Sequence, residues 1–472
     1  MREYDLIIIG NGAAAFSATI KASELTSSQA KIAMVGIGPI GGTCVNVGCV
    51  PSKYFLEASH SVYTPLHPSI KGIGASNVKF DFDNLMQGLR QFVNNSRIDK
   101  YEKVIENYKN VDVYKGKGKF KSNNIIEVVN GNDITQLYGY NIIIATGSTP
   151  SIPSIPGIEN VKYLTSNTVW DIYKLPRRIT IIGAGAIALE IGQAFLHFGS
   201  EVSIIARHGI HLNTEPEIIE AIKQKLEKEG IKFYFNANIL NLSEKEGMKK
   251  VQIDTPNGID TIESDELLIA TNRSPNTDFL QLENAGIDKN KYGYILVDST
   301  MKSSAENVYA AGDCTSKHLY LETLAAREGV IAAMNIFGVE EHIDYNSAVW
   351  AVFTKPQIAG VGYTEKEYNE KKGACLTRTF SLKNLTKASI VDETDGLIKI
   401  IADQNTHKIV GMHIMSPSAT DIITEGAYAV KYGFTYEDII STSHIFPSFS
   451  EGIKLAAQSF VRDISKMSCC VE

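Results

Sequence analysis

Residues 4–15 read Tyr4-Asp5-Leu6-Ile7-Ile8-Ile9-Gly10-Asn11-Gly12-Ala13-Ala14-Ala15, and this stretch decides how the N-terminal part of the chain folds. The apolar run predicts a short buried parallel strand, which leads through small residues directly into a helix. Gly10 permits the tight turn, Gly12 lets the backbone approach a pyrophosphate, and the helix N-terminus offers N–H donors to the phosphate. With Ala15 in the third position, the stretch is typical of a dinucleotide-binding unit.

A second stretch of the same kind follows the predicted strand 178–182, with Gly183, Gly185 and Ala188 in the three small positions. Two such motifs in one chain imply two dinucleotides. The strand after the second motif, 201–205, leads into Arg207, and a cation beside neutral residues suits the 2′-phosphate of NADP. The alternative is that Arg207 is an ordinary solvated arginine.

The strand after the first motif ends differently from the usual pattern. It covers residues 31–35 and is followed by Gly36, where an acidic residue usually holds the adenosine ribose. We therefore expect the ribose contacts to come from the backbone or from another residue.

Two cysteines lie between these motifs, in Gly41-Gly42-Thr43-Cys44-Val45-Asn46-Val47-Gly48-Cys49-Val50-Pro51-Ser52-Lys53. Cys49 is expected near the start of a helix, where unpaired N–H groups and the helix dipole stabilise a thiolate. Such a pair can cycle between dithiol and disulfide. The alternative is that both cysteines are small buried apolar side chains.

A helix without chemistry is expected after the cysteine segment. Phe82, Leu85, Leu89, Phe92 and Val93 recur at helical spacing, which predicts an amphipathic helix with these residues on its buried face.

Together, the two glycine motifs and the cysteine segment resemble the pyridine nucleotide-disulfide oxidoreductases over almost the entire chain. Within that family the cysteine segment is most similar to that of mercuric reductases. The resemblance implies an α/β fold with two Rossmann-like domains, for FAD and NADPH, and a C-terminal α+β dimerisation domain. The implied bounds are 1–150 and 274–345 for the FAD-binding domain, 151–273 for the NADPH-binding domain and 346–472 for the dimerisation domain.

The resemblance also implies roles for individual residues. Cys49 would contact the flavin, Cys44 would exchange with incoming ligands, and Glu190 would pair with Lys53 beside the reactive edge of the flavin. Asp313, in the run Val308-Tyr309-Ala310-Ala311-Gly312-Asp313, would bind the ribityl chain. Further cofactor contacts are implied for Gly42, Thr43, Thr146, Gly147 and for Ala325 in a helix whose N-terminus would face the flavin.

The chain departs from the family pattern at Ser443-His444-Ile445-Phe446-Pro447-Ser448-Phe449-Ser450-Glu451. Disulfide reductases of the family have a histidine where Phe446 stands, and with a glutamate, here Glu451, it relays protons to the partner's dithiol. Phe446 cannot act as an acid or a base, which speaks against thiol substrates. His444 would face the same side of an extended segment, and the alternative is that it is a structural histidine. Mercuric reductases commonly have a tyrosine at this position.

The last residues include Cys469 and Cys470, a poor disulfide but a good pair of soft donors for a thiophilic metal. The resemblance implies that such a pair captures Hg(II) and delivers it to Cys44 and Cys49 of the other subunit. The alternative is an incidental frayed terminus. We expect no metal-binding module ahead of the first strand, so the C-terminal pair would make the first capture.

Composition limits the class of protein. A chain of 472 residues with 44% hydrophobic residues predicts about three packed domains. The net charge of −7 argues against nucleic acid or an anionic membrane as the main partner. No apolar run spans a bilayer, and six cysteines are too few for a disulfide framework, so we expect a cytosolic protein.

The resemblance, together with these residues, implies a homodimeric flavoprotein that reduces Hg(II), presented as thiolate complexes, with NADPH. One alternative is a dihydrolipoamide dehydrogenase, against which both Arg207 and Phe446 speak. Another is a flavoprotein that sequesters metal on its cysteine pairs without consuming NADPH.

Overall fold

A mixed sheet around the first glycine motif forms the N-terminal unit, with β3, β2, β1 and β6 parallel and β5 and β4 antiparallel. The computed structural model describes residues 1–68, 70, 72–316 and 319–463. The central strand β1 lies between β2 and β6 in the order β3-β2-β1-β6-β5-β4. The elements are β1 (Arg2–Ile9), α1 (Ala13–Leu25), β2 (Ile32–Gly36), α2 (Gly42–Val47), α3 (Cys49–Leu66), α4 (Phe82–Arg97), a π-helical turn (Ile98–Glu102), α5 (Lys103–Ile105), β3 (Val111–Lys115), β4 (Lys117–Ser122), β5 (Ile125–Asn130), β6 (Asp133–Ile144) and β7 (Ser148–Pro150).

The second glycine motif stands in a sheet of its own, in the order β11-β10-β9-β15-β8. Its paired strands are all parallel, and a three-stranded antiparallel sheet, β12-β13-β14, follows β11 in the chain. The elements are β8 (Leu164–Thr165), β9 (Arg178–Ile182), α6 (Ala186–His197), β10 (Glu201–Ile205), α7 (Pro216–Glu229), β11 (Lys232–Tyr234), β12 (Asn238–Lys245), β13 (Met248–Thr255), β14 (Gly258–Ser264), β15 (Glu266–Ile269) and β16 (Arg273–Pro275), with short 3₁₀ turns at Ile158–Asn160 and Val169–Asp171.

The chain then returns to the first sheet. β16 pairs antiparallel with β7, and after a 3₁₀ turn (Leu282–Ala285) strand β17 (Val308–Ala310) pairs in parallel with β6. Helix α8 (Glu322–Ile336) packs against α1. The Gly312–Asp313 turn therefore lies at the carboxyl edge of the sheet that carries the first glycine motif, where ligands of such sheets bind.

The C-terminal region is an antiparallel sheet in the order β18-β19-β22-β21-β20, covered by helices. Its elements are β18 (Trp350–Val352), β19 (Gln357–Gly362), α9 (Glu365–Lys371), β20 (Cys375–Ser381), a 3₁₀ turn (Leu382–Asn384), α10 (Thr386–Val391), β21 (Leu397–Asp403), β22 (Ile409–Ser416), α11 (Ala419–Tyr432), α12 (Tyr436–Ser441) and α13 (Glu451–Gln458). The α/β fold with two nucleotide-binding sheets and a C-terminal α+β region is confirmed.

Helix α4 is present as predicted, but the predicted burial of one of its residues, Phe92, is wrong. The buried positions are Phe82, Met86, Leu89 and Val93, which repeat every three or four residues. Phe92 lies about a quarter turn from that line and is 48% exposed. In the described part of the chain, no helix is both long and apolar enough to cross a membrane.

Candidate active site

The cysteine segment is fixed at both ends of its short first helix. Gly41 adopts a left-handed conformation with φ of 92°, and α2 and α3 follow, separated by Gly48. Asn46, between the cysteines, donates from Nδ2 to the carbonyls of Ile40 at 3.0 Å and Gly42 at 2.8 Å. Trp170 donates from its indole Nε1 to the carbonyl of Val47 at 2.8 Å. The two cysteines are thus presented by a segment whose backbone carbonyls are already hydrogen-bonded.

The two thiols differ in charge. Cys49 is the exposed first residue of α3, as the sequence predicted, and Cys44 is half-buried. A hydrogen bond from Cys44, assisted by the charge of Lys53, lowers the pKa of Cys49 to about 7, although burial opposes the change. The same hydrogen bond and burial raise the pKa of Cys44. Cys49 is therefore the thiol of the pair that loses its proton first, and Cys44 is the one that keeps it.

Glu322 is a residue of this site that sequence reasoning did not assign. It is the first residue of α8, and its carboxylate raises the pKa of both Cys44 and Cys49. Its effect on the pKa of Cys49 is therefore opposite to that of Lys53. Its position in a predicted helix gave no sign of this, because only the fold brings the start of α8 near the cysteine segment.

Lys53 and Glu190 form an ion pair with 2.8 Å between Nζ and Oε2, although they are 137 positions apart in the chain. Glu190 is only 6% exposed, so these are not two ordinary surface charges. The other carboxylate oxygen of Glu190 accepts a hydrogen bond from the backbone N–H of Phe353 at 2.9 Å. Both oxygens of this buried carboxylate therefore have donors, which offsets the cost of removing it from water.

In both glycine motifs the turn after the strand lies close against the backbone that follows a neighbouring strand. A Cβ atom at Gly10 would lie 2.1 Å from the carbonyl oxygen of Ala145, and one at Gly183 would lie 2.2 Å from that of Ala270. Gly10 and Gly183 have positive φ values of 147° and 112°. Each turn therefore requires glycine, and each leads into a helix N-terminus, α1 or α6, that can receive phosphate.

Asn11 occupies the space beside Gly36 that an acidic side chain would need. A Cβ atom at Gly36 would lie 2.8 Å from the side-chain carbons of Asn11. Asn11 Nδ2 donates to the carbonyls of Ile37 at 3.2 Å and Pro39 at 3.3 Å. A carboxylate at position 36 is thus excluded by space as well as absent from the sequence.

Asp313 is held at the mouth of a small cavity. Ser148 donates from Oγ to Asp313 Oδ2 at 2.6 Å, and Arg273 donates to the hydroxyl of Ser148 at 2.6 Å and to its carbonyl at 2.8 Å. Gly312, Asp313 and Ala325 line the cavity together with the start of α8. Asp313 and the first turn of α8 therefore border the same cavity.

The remaining predicted cofactor residues lie on the same two edges. Gly12, Ala15, Gly42 and Thr43 belong to the first turn and the cysteine helix that abuts it, since Gly12 and Gly42 are in backbone contact. Thr146 and Gly147 follow β6, and their carbonyls accept hydrogen bonds from Asn276. At the second motif, Gly185 and Ala188 begin α6, and Arg207 is exposed beyond β10. The predicted cofactor residues thus gather at two sheet edges, each next to a glycine motif.

His444 lies in a structural position. Its ring Nε2 is 2.8 Å from Glu425 Oε1 and its Nδ1 is 3.0 Å from the carbonyl of Thr442, and the side chain is 5% exposed. Both ring nitrogens face acceptors, which favours the protonated imidazole, and the hydrogen bond to Glu425 raises its pKa. Both ring nitrogens of His444 thus contact acceptors within its own segment and on α11.

Glu451 is buried, and burial raises the pKa of its carboxyl. Its Oε2 is buried without a hydrogen-bond partner among the residues that the structure describes. Phe446, by contrast, is 50% exposed. The acid of a proton relay is present here and its histidine is replaced. Cys469 and Cys470 lie outside the described residues.

Two family matches cover nearly all of the chain. Residues 4–329 match the pyridine nucleotide-disulphide oxidoreductases, and residues 348–457 match the dimerisation domain of that family. The chain belongs to the pyridine nucleotide-disulphide oxidoreductases. It is an oxidoreductase whose cofactors are FAD and NADPH, and the dimerisation domain makes it a homodimer.

Three individual proteins show what this chain is similar to. A mercuric reductase from Lysinibacillus sphaericus is 39% identical over 99% of this chain and 84% of its own length. Mitochondrial dihydrolipoyl dehydrogenase from Pisum sativum is 34% identical over 97% of this chain and 91% of its own. Among solved structures, the Cu(II) complex of the flavoprotein disulfide reductase RclA from Escherichia coli has a TM-score of 0.85 at 26% identity, covering 98% of this chain and 100% of that one.

Proposed function

We propose that this enzyme reduces Hg(II) to elemental mercury with NADPH, according to NADPH + Hg²⁺ → NADP⁺ + H⁺ + Hg⁰. The observation that carries the proposal is the combination of a polarised cysteine pair with Phe446 in the place of an acid–base residue. Reducing a disulfide consumes two protons on the product thiols, whereas reducing a metal cation to the element consumes none. A site without a relay histidine therefore suits the metal.

Cys44 and Cys49 would hold Hg(II) as a bis-thiolate. Thiolates are the ligands that soft metals prefer, and Cys49 is already the charged member of the pair. Hg(II) would displace the remaining proton from Cys44 into the solvent, since a metal-bound thiol is deprotonated, and Cys44 would take a proton up again when Hg⁰ leaves. A resident metal is not needed for this, and among the described residues no cluster of three or more histidine, cysteine or acidic side chains could hold one.

Bound FAD would accept a hydride from NADPH and supply the electron pair to this site. The residues proposed to hold FAD are Asp313, Thr146, Gly147 and the first turn, and Lys53 with Glu190 would fix a positive charge beside the ring. Arg207 would bind the 2′-phosphate of NADPH. We place the reaction in the cytosol, where the cysteines stay reducible.

We also propose that Cys469 and Cys470 of one subunit load the metal onto Cys44 and Cys49 of the other. Hg(II) binds thiolates too tightly to be released into water between sites. Exchange between two cysteine pairs avoids that release.

The test is an NADPH oxidation assay with purified flavin-bound enzyme and excess thiol, comparing Hg(II), oxidised glutathione and, with NAD⁺, dihydrolipoamide. We expect sustained turnover and mercury vapour with Hg(II) alone. Brisk turnover of dihydrolipoamide without mercury vapour would identify a dihydrolipoyl dehydrogenase instead. Oxidation of NADPH that stops at one equivalent per enzyme would identify a metal-sequestering protein.

Two variants separate the finer parts of the proposal. Changing Cys469 and Cys470 together to alanine should reduce mercury turnover more than NADPH oxidation by a small quinone, and equal losses would count against the loading role. Changing Arg207 to glutamate should weaken NADPH relative to NADH by roughly 10-fold or more, because a repelling charge replaces the phosphate's partner. An unchanged preference would discard the assignment of Arg207.

A further inference from the structure

The ammonium group of Lys53 is held from two sides, and one side belongs to the C-terminal region. Its Nζ lies 2.8 Å from Glu190 Oε2 and 4.2 Å from the ring centroid of Phe353. An ammonium over an aromatic face is attracted by the negative face of the ring. The lysine therefore has a carboxylate on one side and an aromatic ring on the other.

Phe353 also contacts the other member of the ion pair, through its backbone. Its N–H donates to Glu190 Oε1 at 2.9 Å. One residue therefore orients both charges, the cation with its ring and the anion with its amide.

The segment that carries Phe353 is fixed to the same helix one turn further along. Gln193 of α6 accepts from the N–H of Lys355 at 2.7 Å and donates to its carbonyl at 2.8 Å. Glu190 and Gln193 thus bind residues 353–355 at three backbone groups. These contacts fix the backbone from which the Phe353 ring reaches the lysine.

We propose that Phe353 is a positioning residue of the active site, which holds the Lys53 ammonium against Glu190 from the C-terminal region. The inference rests on the role proposed above for the Lys53–Glu190 pair. Lysine has a long, flexible stem and a strongly hydrated head. The ring confines that head and shields it from water on one face, so the charge stays where the cofactor edge needs it.

The test compares Phe353→Leu, which keeps an apolar side chain and the backbone N–H but removes the ring, with Phe353→Tyr, which keeps the ring. The first readout is the rate at which a small acylating reagent labels Lys53 in the flavin-bound dimer, followed by peptide mass spectrometry. We expect Phe353→Leu to raise the labelling rate about three-fold, the size of a partly exposed cation–π contact, and Phe353→Tyr to restore it.

Phe279→Leu is the matched control, because Lys117 lies over the Phe279 ring at 5.9 Å far from the cysteines. It should leave the labelling of Lys53 unchanged. The second readout is single-turnover reduction of the flavin by NADPH, in which Phe353→Leu should lower the rate constant about three-fold without changing the concentration of NADPH that gives half the maximal rate.

Equal labelling rates of Lys53 in the wild type and in Phe353→Leu would overturn the proposal. So would a rate constant of flavin reduction that falls as far in Phe353→Tyr as in Phe353→Leu. If Phe353→Leu does not yield a flavin-bound dimer, Phe353→Met provides the same comparison. Neither readout uses mercury. An enzyme that leaves Hg(II) unreduced would therefore refute the proposed function and leave this result standing on its own.

Discussion

The cysteine segment and the segment around Phe446 differ in how much of their chemistry is in place. Around Cys44 and Cys49 the pKa of Cys49 is lowered, Lys53 and Glu190 form an ion pair, and Asn46 donates to two backbone carbonyls. Around Phe446 only the acid Glu451 remains, and His444 is committed elsewhere.

In the proposed function, electron transfer and proton transfer are separate tasks. They are supplied by regions nearly 400 positions apart in sequence, numbered 41–53 and 443–451. One region can be retained in full while the other loses its reactive group. A substrate that takes electrons without protons matches that combination.

Removing a thiol from the first region should have the largest effect. Cys49→Ser should lower mercury turnover by roughly 10³-fold or more, because a hydroxyl is neither a soft ligand nor a redox partner. Elemental mercury release with NADPH measures the loss. Cys375→Ser, which changes a cysteine on β20, is the control and should retain wild-type turnover. Comparable losses of mercury turnover in both variants would contradict a specific role for the cysteine segment.

Neutralising the buried carboxylate of the first region should have the next largest effect. Glu190→Gln keeps the shape and can still accept from the N–H of Phe353, but it leaves Lys53 without its counter-charge. We expect the rate of flavin reduction by NADPH to fall roughly 10-fold, since charge-assisted contacts are about twice as strong as neutral ones. Stopped-flow absorbance follows the reaction. Glu227→Gln on α7 is the control, and a loss of similar size there would contradict the expectation.

Replacing Phe446 by histidine should give the segment around Phe446 the acid–base group that it lacks. Phe446→His places an acid–base residue where the family's disulfide reductases have one, next in sequence to Pro447 and five positions before Glu451. The rate at which the enzyme reduces an organic disulfide should increase about 10-fold. This is less than a well-placed general acid–base contributes, because the new histidine is not ideally placed.

The double variant Phe446→His/Glu451→Gln should lose the gain, and Phe446→Asn should never acquire it. If Phe446→His reduces disulfides no faster than the wild type, the missing histidine is not what separates the two regions.

The smallest expected effect concerns His444. Its pKa is raised above 6.5 in the folded protein, so its stabilising contribution is fully present below about pH 6.5 and is lost as the pH rises through the folded value. His444→Leu should therefore lower the melting temperature by about 2 °C at pH 6, the equivalent of one charged hydrogen bond, and by less at pH 9.5. Differential scanning fluorimetry at both pH values measures this. A difference that grows with pH would show that His444 is neutral in the folded protein.

The local parts of the fold and site followed from the sequence. Both glycine-motif strands and the start of α3 at Cys49 lie where short-range patterns place them, because turns and helix starts depend on neighbouring residues. The burial of α4 was misjudged at Phe92, because 92 and 93 cannot both face the same core.

The long-range parts did not follow from pattern alone. The Lys53–Glu190 pair was expected only from resemblance to a family. The contacts of Glu322, Trp170 and Phe353 were not expected at all, since each joins elements that are distant in sequence and meet only after the domains have packed. Asn11 beside Gly36 shows the same limit, because the missing carboxylate was visible in the sequence and the side chain that fills its space was not.

The bond from Trp170 to the Val47 carbonyl gives the enzyme a built-in optical probe. Of the two tryptophans in the chain, the other, Trp350, lies on β18 of the C-terminal sheet. The indole of Trp170 is hydrogen-bonded to Val47, the last residue of α2 between the cysteines, so we expect its fluorescence to respond to changes there, and a Trp350→Phe background isolates its signal. Occupation of the thiols can then be followed in real time by emitted light, without a label or a coupled assay.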